Sequence, residues 1–290
     1  MTNQQVLDTG IRPYFSPSNP DDLEEFIRMI RGYYNQNRRS MPWRDVITPY
    51  RVVVSELMLQ QTQVPRVMEK FPLFIRQFPE FSSLACAPPG DVIEAWQGLG
   101  YNRRSRYLHA LAIRVMENYH GNLPDDPDIL VTFPGIGKAT AGSISAFAFN
   151  KPVIFIETNI RRVYIHHFFP ESDSVADNQI VPLVEMTLDQ SNPREWYYAL
   201  MDYGSWLAKR MPNPNRRSRH YTKQSAFEGS DRQIRGRIIG RLIKEKTCTI
   251  DQLVDEADEK PRGMRIVSMM IEEGFICEAD GFVRFSELAI

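Results

Sequence analysis

Residues 131–163 read VTFPGIGKATAGSISAFAFNKPVIFIETNIRRV and constrain the fold more than any other stretch of the chain. One helix is expected to end near Phe133, Pro134-Gly135-Ile136-Gly137 turns the chain, and a second helix is predicted from Lys138 to about Phe149. Glycines two apart permit positive φ and let another backbone approach closely. The hairpin's N–H groups and the start of the second helix then point at an anion, most naturally a phosphate, and Lys138 adds a charge there. A Gly-x-Gly by itself is more often an ordinary helix–helix connection. Beyond the second helix, Glu157 in IETNIRRV follows the apolar run Val153 to Ile156 and opens a further helix, where an acid ordinarily compensates the dipole.

The first half of the chain carries a second carboxylate of interest. Thr48-Pro49 caps the run YRVVVSELMLQQTQV, in which Glu56 falls three and four positions after Val53 and Val52 and three before Leu59. It therefore belongs at the edge of an apolar helix face, where desolvation raises a carboxyl's pKa and suits it to carry a proton. Gln60, Gln61 and Thr62 end that helix and face whatever Glu56 faces. In GLGYNRRSRYLH, Leu99 and Tyr101 precede Arg103, Arg104 and Arg106, the combination expected for stacking plus phosphate contact. A solvated helix start is the plainer reading of each arginine.

These motifs resemble the helix-hairpin-helix DNA glycosylase superfamily that contains endonuclease III and MutY. The resemblance covers about residues 25–210, and SELMLQQT, GLGY and PGIGKATA bring it closest to MutY. It implies an all-α, two-lobed fold with double-stranded DNA in the cleft between the lobes. It also implies a base flipped from a mismatched or damaged duplex, and hydrolysis of that base's N-glycosidic bond. Glu56 matches the general acid and base, and Glu157 stands where the family has an aspartate that offsets charge on an oxocarbenium-like sugar. The extra methylene of Glu157 displaces the carboxylate by about an ångström, so either the backbone compensates or the activity differs. Gly135, Gly137, Lys138, Ala139 and Thr140 match the phosphate-gripping hairpin, Asn159 matches an asparagine beside the acid, and Gln60, Gln61 and Thr62 match residues entering the duplex.

Two departures refine this expectation. Family members that form a Schiff base and cut the strand carry lysine at the place of Ala139; Lys138 is one residue early, about 100° around the helix. A monofunctional glycosylase without lyase activity is implied, with adenine as first substrate. The alternatives are a mispaired or damaged pyrimidine, such as thymine or uracil opposite guanine, or a non-catalytic lesion-binding protein. Residues 209–223, KRMPNPNRRSRHYTK, hold none of the four cysteines that bind the family's iron–sulfur cluster, so no cluster is expected. The family hairpin often holds a monovalent cation, which this sequence neither supports nor excludes.

Composition bounds the rest. Cys86, Cys248 and Cys277 are scattered, which argues against a disulfide framework or a four-cysteine metal site, and no metal site is expected. A net charge of −1 gives no overall support for nucleic acid, so any DNA contact must be local. No apolar run approaches the roughly 18 residues of a membrane span, and residues 1–15 lack a signal-peptide pattern, so a cytoplasmic location is expected, nucleoid-associated if the source is prokaryotic. The expected organisation is a mobile arm (1–20), a helical barrel with the hairpin (48–150), a second lobe (21–47 with 151–225) and a module at 230–290. That module's three helices and a hairpin at Asp280-Gly281 resemble a winged helix-turn-helix, a device for DNA or for a protein partner. Short helices broken at Pro72, Pro79 and Pro88-Pro89 are expected between Phe71 and Gly98, and 209–223 is expected to be a flexible basic linker.

Overall fold

A computed structural model describes residues 14–223 and 226–286. Almost all of its regular structure is helical, with one two-stranded sheet among the described residues. These residues fall into two compact units, one of residues up to 41 with 137–223, the other of 42–136 with the segment from 224.

The first unit opens with Phe15, fully buried against Phe26, His167 and Phe168, its N–H bonded to the His167 carbonyl at 2.9 Å. The expected mobile arm is thus anchored from residue 14 onward, because an aromatic side chain finds a core to enter; residues 1–13 lie outside those described. Helix α1 (Pro20–Asn37) starts as its Asn-Pro-Asp-Asp pattern predicts: Asn19 accepts from the Asp21 N–H, and Phe26, Ile30 and Tyr34 form the buried stripe.

In the second unit α2 (Pro42–Asp45) leads into α3 (Pro49–Leu59), capped by Thr48 and buried nearly all round. Helix α4 (Val64–Gln77) runs through Pro72 rather than breaking there; Val67, Phe71 and Phe74 are buried and hold the helix through the lost hydrogen bond. The short α5 (Phe81–Ala85) and α6 (Pro89–Trp96) precede α7 (Arg103–Tyr119), which ends in left-handed His120 and Gly121. Helix α8 (Pro127–Leu130) delivers the chain to the hairpin.

The boundary between units falls inside that hairpin, between Ile136 and Gly137, so α9 (Lys138–Phe149) joins the first unit instead of the barrel expected at 48–150. Packing explains it. Phe147 stacks on Tyr198 with ring centres 4.8 Å apart, Gly142 lies so close to Phe155 that an added Cβ would stand 2.7 Å away, and Arg194 donates to the Phe147 and Ala148 carbonyls at the helix end. Helices α10 (Thr158–Phe168), α11 (Asp177–Thr187) and α12 (Pro193–Leu207) complete this unit.

Residues 209–223, expected to be a loose linker, are tied down. Pro214–Arg217 forms a 3-10 turn, Asn215 donates to the Thr158 carbonyl at 2.9 Å, and Arg217 donates to the carbonyls of Ile165, Phe169, Pro170 and Ser172.

The C-terminal module comprises α13 (Asp231–Glu245), α14 (Ile250–Val254) and α15 (Lys260–Glu272), followed by β1 (Ile276–Ala279) and β2 (Phe282–Phe285). The strands pair antiparallel around Asp280 and Gly281, both at positive φ, as a two-residue hairpin requires. Ile93 of α6 belongs to the same apolar cluster as Ile234, Ile238, Leu242, Met270 and Phe275, so the module shares a core with the barrel instead of standing apart.

Candidate active site

Glu56 sits in the last turns of α3. Tyr50, Val52, Val53, Val54, Ser55, Leu57 and Met58 of that helix are buried, whereas Glu56 is half-buried on the remaining seam. A carboxyl on a helix packed on nearly every other side is held in place by the packing of its neighbours. At the helix end Gln60 donates its amide to the Gly135 carbonyl at 3.2 Å and Thr62 donates to the Leu99 carbonyl at 3.0 Å. Gln61 between them is exposed and left-handed, with φ of 56°. Of the three residues expected to face DNA, two brace the scaffold and Gln61 projects from it.

Arg104 departs most from its expected phosphate contact. It is 6 % exposed, and its guanidinium donates to the carbonyls of Leu57, Met58 and Gln60 at the end of α3 and to those of Leu99, Gly100 and Tyr101 in the adjoining turn. It also reaches the Thr62 hydroxyl at 3.0 Å. The last carbonyls of a helix have no intrahelical donors, and Arg104 supplies them from outside. Burial pushes this guanidinium down to about 10, so it stays charged at neutral pH. Leu99 is likewise interior, 4 % exposed, and shapes the turn from within. Gly98, Gly100 and Tyr101 all have positive φ, which presents Tyr101 outward over the Arg104 guanidinium, 5.5 Å from its ring centre. Arg103 remains half-exposed and pairs with Glu273 at 3.1 Å, and buried Arg106 donates to the Gly274 carbonyl.

At the hairpin, Gly135 has φ of 76° and lies over Tyr107, where an added Cβ would stand 2.9 Å from the side chain. Gly137 has an ordinary φ of −89°, so its expected need for positive φ does not hold; it caps α9 with no atom within 4 Å of where its Cβ would be. Gly137, Lys138 and Ala139 are exposed and Thr140 is half-buried. Helix geometry leaves the first N–H groups of α9 without intrahelical partners. Gly135→Ala is expected to cost about 1–3 kcal/mol through left-handed strain and the Tyr107 clash. Gly137→Ala adds a methyl group to open space at an ordinary φ, so it leaves stability within about 0.5 kcal/mol; thermal melts of the two variants check the contrast.

In the first unit Glu157 is the N-cap of α10. Its Oε1 accepts from the N–H groups of Asn159 at 2.7 Å and Ile160 at 3.1 Å. The extra methylene therefore folds the side chain back onto its own helix. Desolvation pushes the Glu157 carboxyl above the ordinary value near 4.5, opposed by those two N–H donors and by the charges of Arg162 and Arg161. Asn159 stands beside it, its amide 3.5 Å from Oε2 and its Oδ1 accepting from Arg162, which also donates to the Gly204 carbonyl at 2.9 Å. Gly204 was not singled out in the sequence; a Cβ there would stand 2.6 Å from the Asn159 carbonyl oxygen, so only glycine lets α12 come this close. Its signal was a lone glycine inside an apolar helical run, DYGSW.

The chemistry of the residues does not fit the family's iron–sulfur cluster. No cysteine lies between Cys86 and Cys248, and in residues 209–223 Asn215 and Arg217 are committed as donors to backbone carbonyls of Thr158 and Pro170. Among the described residues no group of histidine, cysteine or acidic side chains is arranged to hold a metal ion, and no helix is long and apolar enough to cross a membrane.

Residues 54–180 match the HhH-GPD superfamily of base excision DNA repair proteins. An adenine DNA glycosylase of Mycobacterium tuberculosis is 33 % identical over 241 residues, spanning 73 % of this chain and 77 % of the relative. One from Mycolicibacterium smegmatis is 29 % identical over 273 residues, spanning 87 % and 93 %. Among solved structures, a thermostable thymine-DNA glycosylase aligns with a TM-score of 0.56 at 23 % identity over 63 % of this chain and 86 % of that one. A trapped endonuclease III–DNA covalent intermediate aligns at 0.53 and 14 % identity over 73 % and 91 %. These two establish the fold. With its motifs, its helical architecture and a relative at this identity and coverage, the chain belongs to the helix-hairpin-helix base excision repair superfamily, as a MutY-like DNA N-glycosylase.

Proposed function

We propose that this chain is a monofunctional adenine DNA glycosylase acting on a mispaired adenine. The observation that carries the reading is the 33 % identity, over most of both chains, to a protein named adenine DNA glycosylase. Glu56 then protonates a ring nitrogen of the leaving base, which turns a poor leaving group into a neutral one, and the Glu157 carboxylate offsets positive charge on the sugar as the bond lengthens. Gln61, exposed at the end of the Glu56 helix, fits a wedge that fills the space a flipped base leaves. Ala139 offers no amine for a Schiff base, so the product keeps an intact strand at an abasic site. The absence of cluster ligands belongs to the same reading: Arg217 and Asn215 do the tying in that segment.

The test is single-turnover base release from duplexes with adenine opposite 8-oxoguanine or guanine, with thymine or uracil opposite guanine alongside. Adenine release with strand scission only after alkali is the expected result. Scission without alkali defeats the monofunctional reading, and release of the pyrimidines alone defeats the adenine reading.

The pH dependence follows from Glu157. A carboxyl held above its ordinary value loses its charge at higher pH than a solvated glutamate as the solution is acidified. Since the ionised form is the one required, the rate falls on the acid side with a midpoint above 4.5. In Glu157→Gln the residual rate loses that acid limb. An acid limb unchanged in the variant assigns it to another group.

A further inference from the structure

Helix α13 and the turn before it lie against the 98–102 turn, within the same compact unit. Arg232 of α13 donates to the Tyr101 hydroxyl and to the Ala226 carbonyl at 3.3 Å, and its guanidinium stands 5.1 Å from the Tyr101 ring centre. One side chain thus ties the turn carrying Phe227 to the turn that follows Gln61 in space. A cavity opens on each side of this tie, of about 620 Å³ and 400 Å³, and both are lined by Gln61, Tyr101, Asn102 and Arg232. Phe227, 57 % exposed, walls the larger one, with Gln97 and Gly236. No atom lies within 4 Å of where a Gly236 Cβ would be, so the missing side chain keeps this cavity open.

An exposed aromatic ring, glutamine amides that both donate and accept, and a guanidinium at the rim suit a flat heterocycle with hydrogen-bonding edges and a nearby phosphate. A surface glycine in the middle of a helix is costly relative to alanine, which gives the open space a reason beyond helix stability. We infer that the C-terminal module is part of the DNA-binding site, and that the larger cavity seats one unstacked nucleobase of the bound duplex against Phe227, with Gln61 and Arg232 at its edge. This deepens the glycosylase reading and rests on it for the identity of the partner. The tie through Arg232 makes the module a wall of the site, so its position on Tyr101 and the seating of the base are one arrangement.

The experiment uses the full chain and duplexes whose target adenine carries a 2′-fluoro sugar that resists excision, with 2-aminopurine placed at one neighbouring or opposite position at a time. Unstacking on binding brightens 2-aminopurine. The wild type is expected to brighten one position; Phe227→Ala and Gly236→Leu are expected to lose that signal and weaken duplex binding about tenfold. Gly236→Leu improves helix propensity while filling the cavity, so its melt guards against misfolding. Brightening that survives in both variants overturns the inference, as does a wild type that brightens no position or binds none of the duplexes. Brightening lost in both variants, in a protein that releases no adenine from unmodified duplexes, upholds the seat and removes the adenine assignment.

Discussion

Glu56→Gln lowers the single-turnover rate of base release by about 10³-fold and leaves duplex affinity within a few-fold. Glutamine has nearly the same shape and still hydrogen-bonds, but it cannot deliver a proton to the leaving base, and general acid catalysis of this kind contributes roughly 10²–10⁴. The surrounding helix makes the substitution clean. Seven neighbours of Glu56 on α3 are buried, and the helix end is clamped by Arg104, so the amide occupies the place of the carboxyl without moving its support. Chemical quench measurements give the rate and fluorescence anisotropy gives the affinity. A rate within fivefold of wild type removes Glu56 from proton transfer, and a fall in affinity that accounts for the whole loss assigns it to binding.

Arg104→Ala produces the largest loss of stability of any single change at the site, about 3–5 kcal/mol, with a melting temperature lower by about 10 °C. The buried guanidinium serves seven acceptors: six carbonyls and the Thr62 hydroxyl. Alanine removes the side-chain donor from the buried Leu57 and Met58 carbonyls and one of two donors from those of Leu99, Gly100 and Tyr101. Arg104→Lys recovers only part of the loss, because an ammonium is compact and cannot fork to both the end of α3 and the 98–102 turn. Arg103→Ala, at the first residue of α7 and outside that clamp, removes a half-exposed ion pair with Glu273 and lowers stability by about 1 kcal/mol or less, about what a surface pair contributes. Equal effects of the two substitutions contradict the division of labour the structure shows.

Much of the molecule was legible from local chemistry. Asn19-Pro20 and Thr48-Pro49 cap helices because a short polar side chain followed by proline satisfies and pre-forms a first turn. Asp280-Gly281 turns a hairpin because both positions tolerate positive φ. SELMLQQT, GLGY and PGIGKATA were enough to reach the superfamily, and the relatives bear that out. Pro72 misled as a breaker because its neighbours' burial outweighs one missing hydrogen bond.

What a run of arginines does was not legible. Arg103, Arg104 and Arg106 read alike in the sequence, yet one pairs at the surface, one holds α3 to the 98–102 turn, and one holds the C-terminal module. The acceptors of Arg104 at the end of α3 lie more than 40 residues back along the chain and that of Arg106 lies 168 residues on, so helix phase alone could not assign them. The same holds beside Glu157, whose identity as an acid before a helix was plain, whereas the close approach of Gly204 to Asn159 depends on how α12 packs against α10. The sequence by itself determined the helices, their caps, the hairpin and the family, because these follow from neighbours along the chain. Only the tertiary structure decided which polar side chains turn inward and that the C-terminal module walls the turn carrying Tyr101, because burial and long-range acceptors exist only once the chain has folded back on itself.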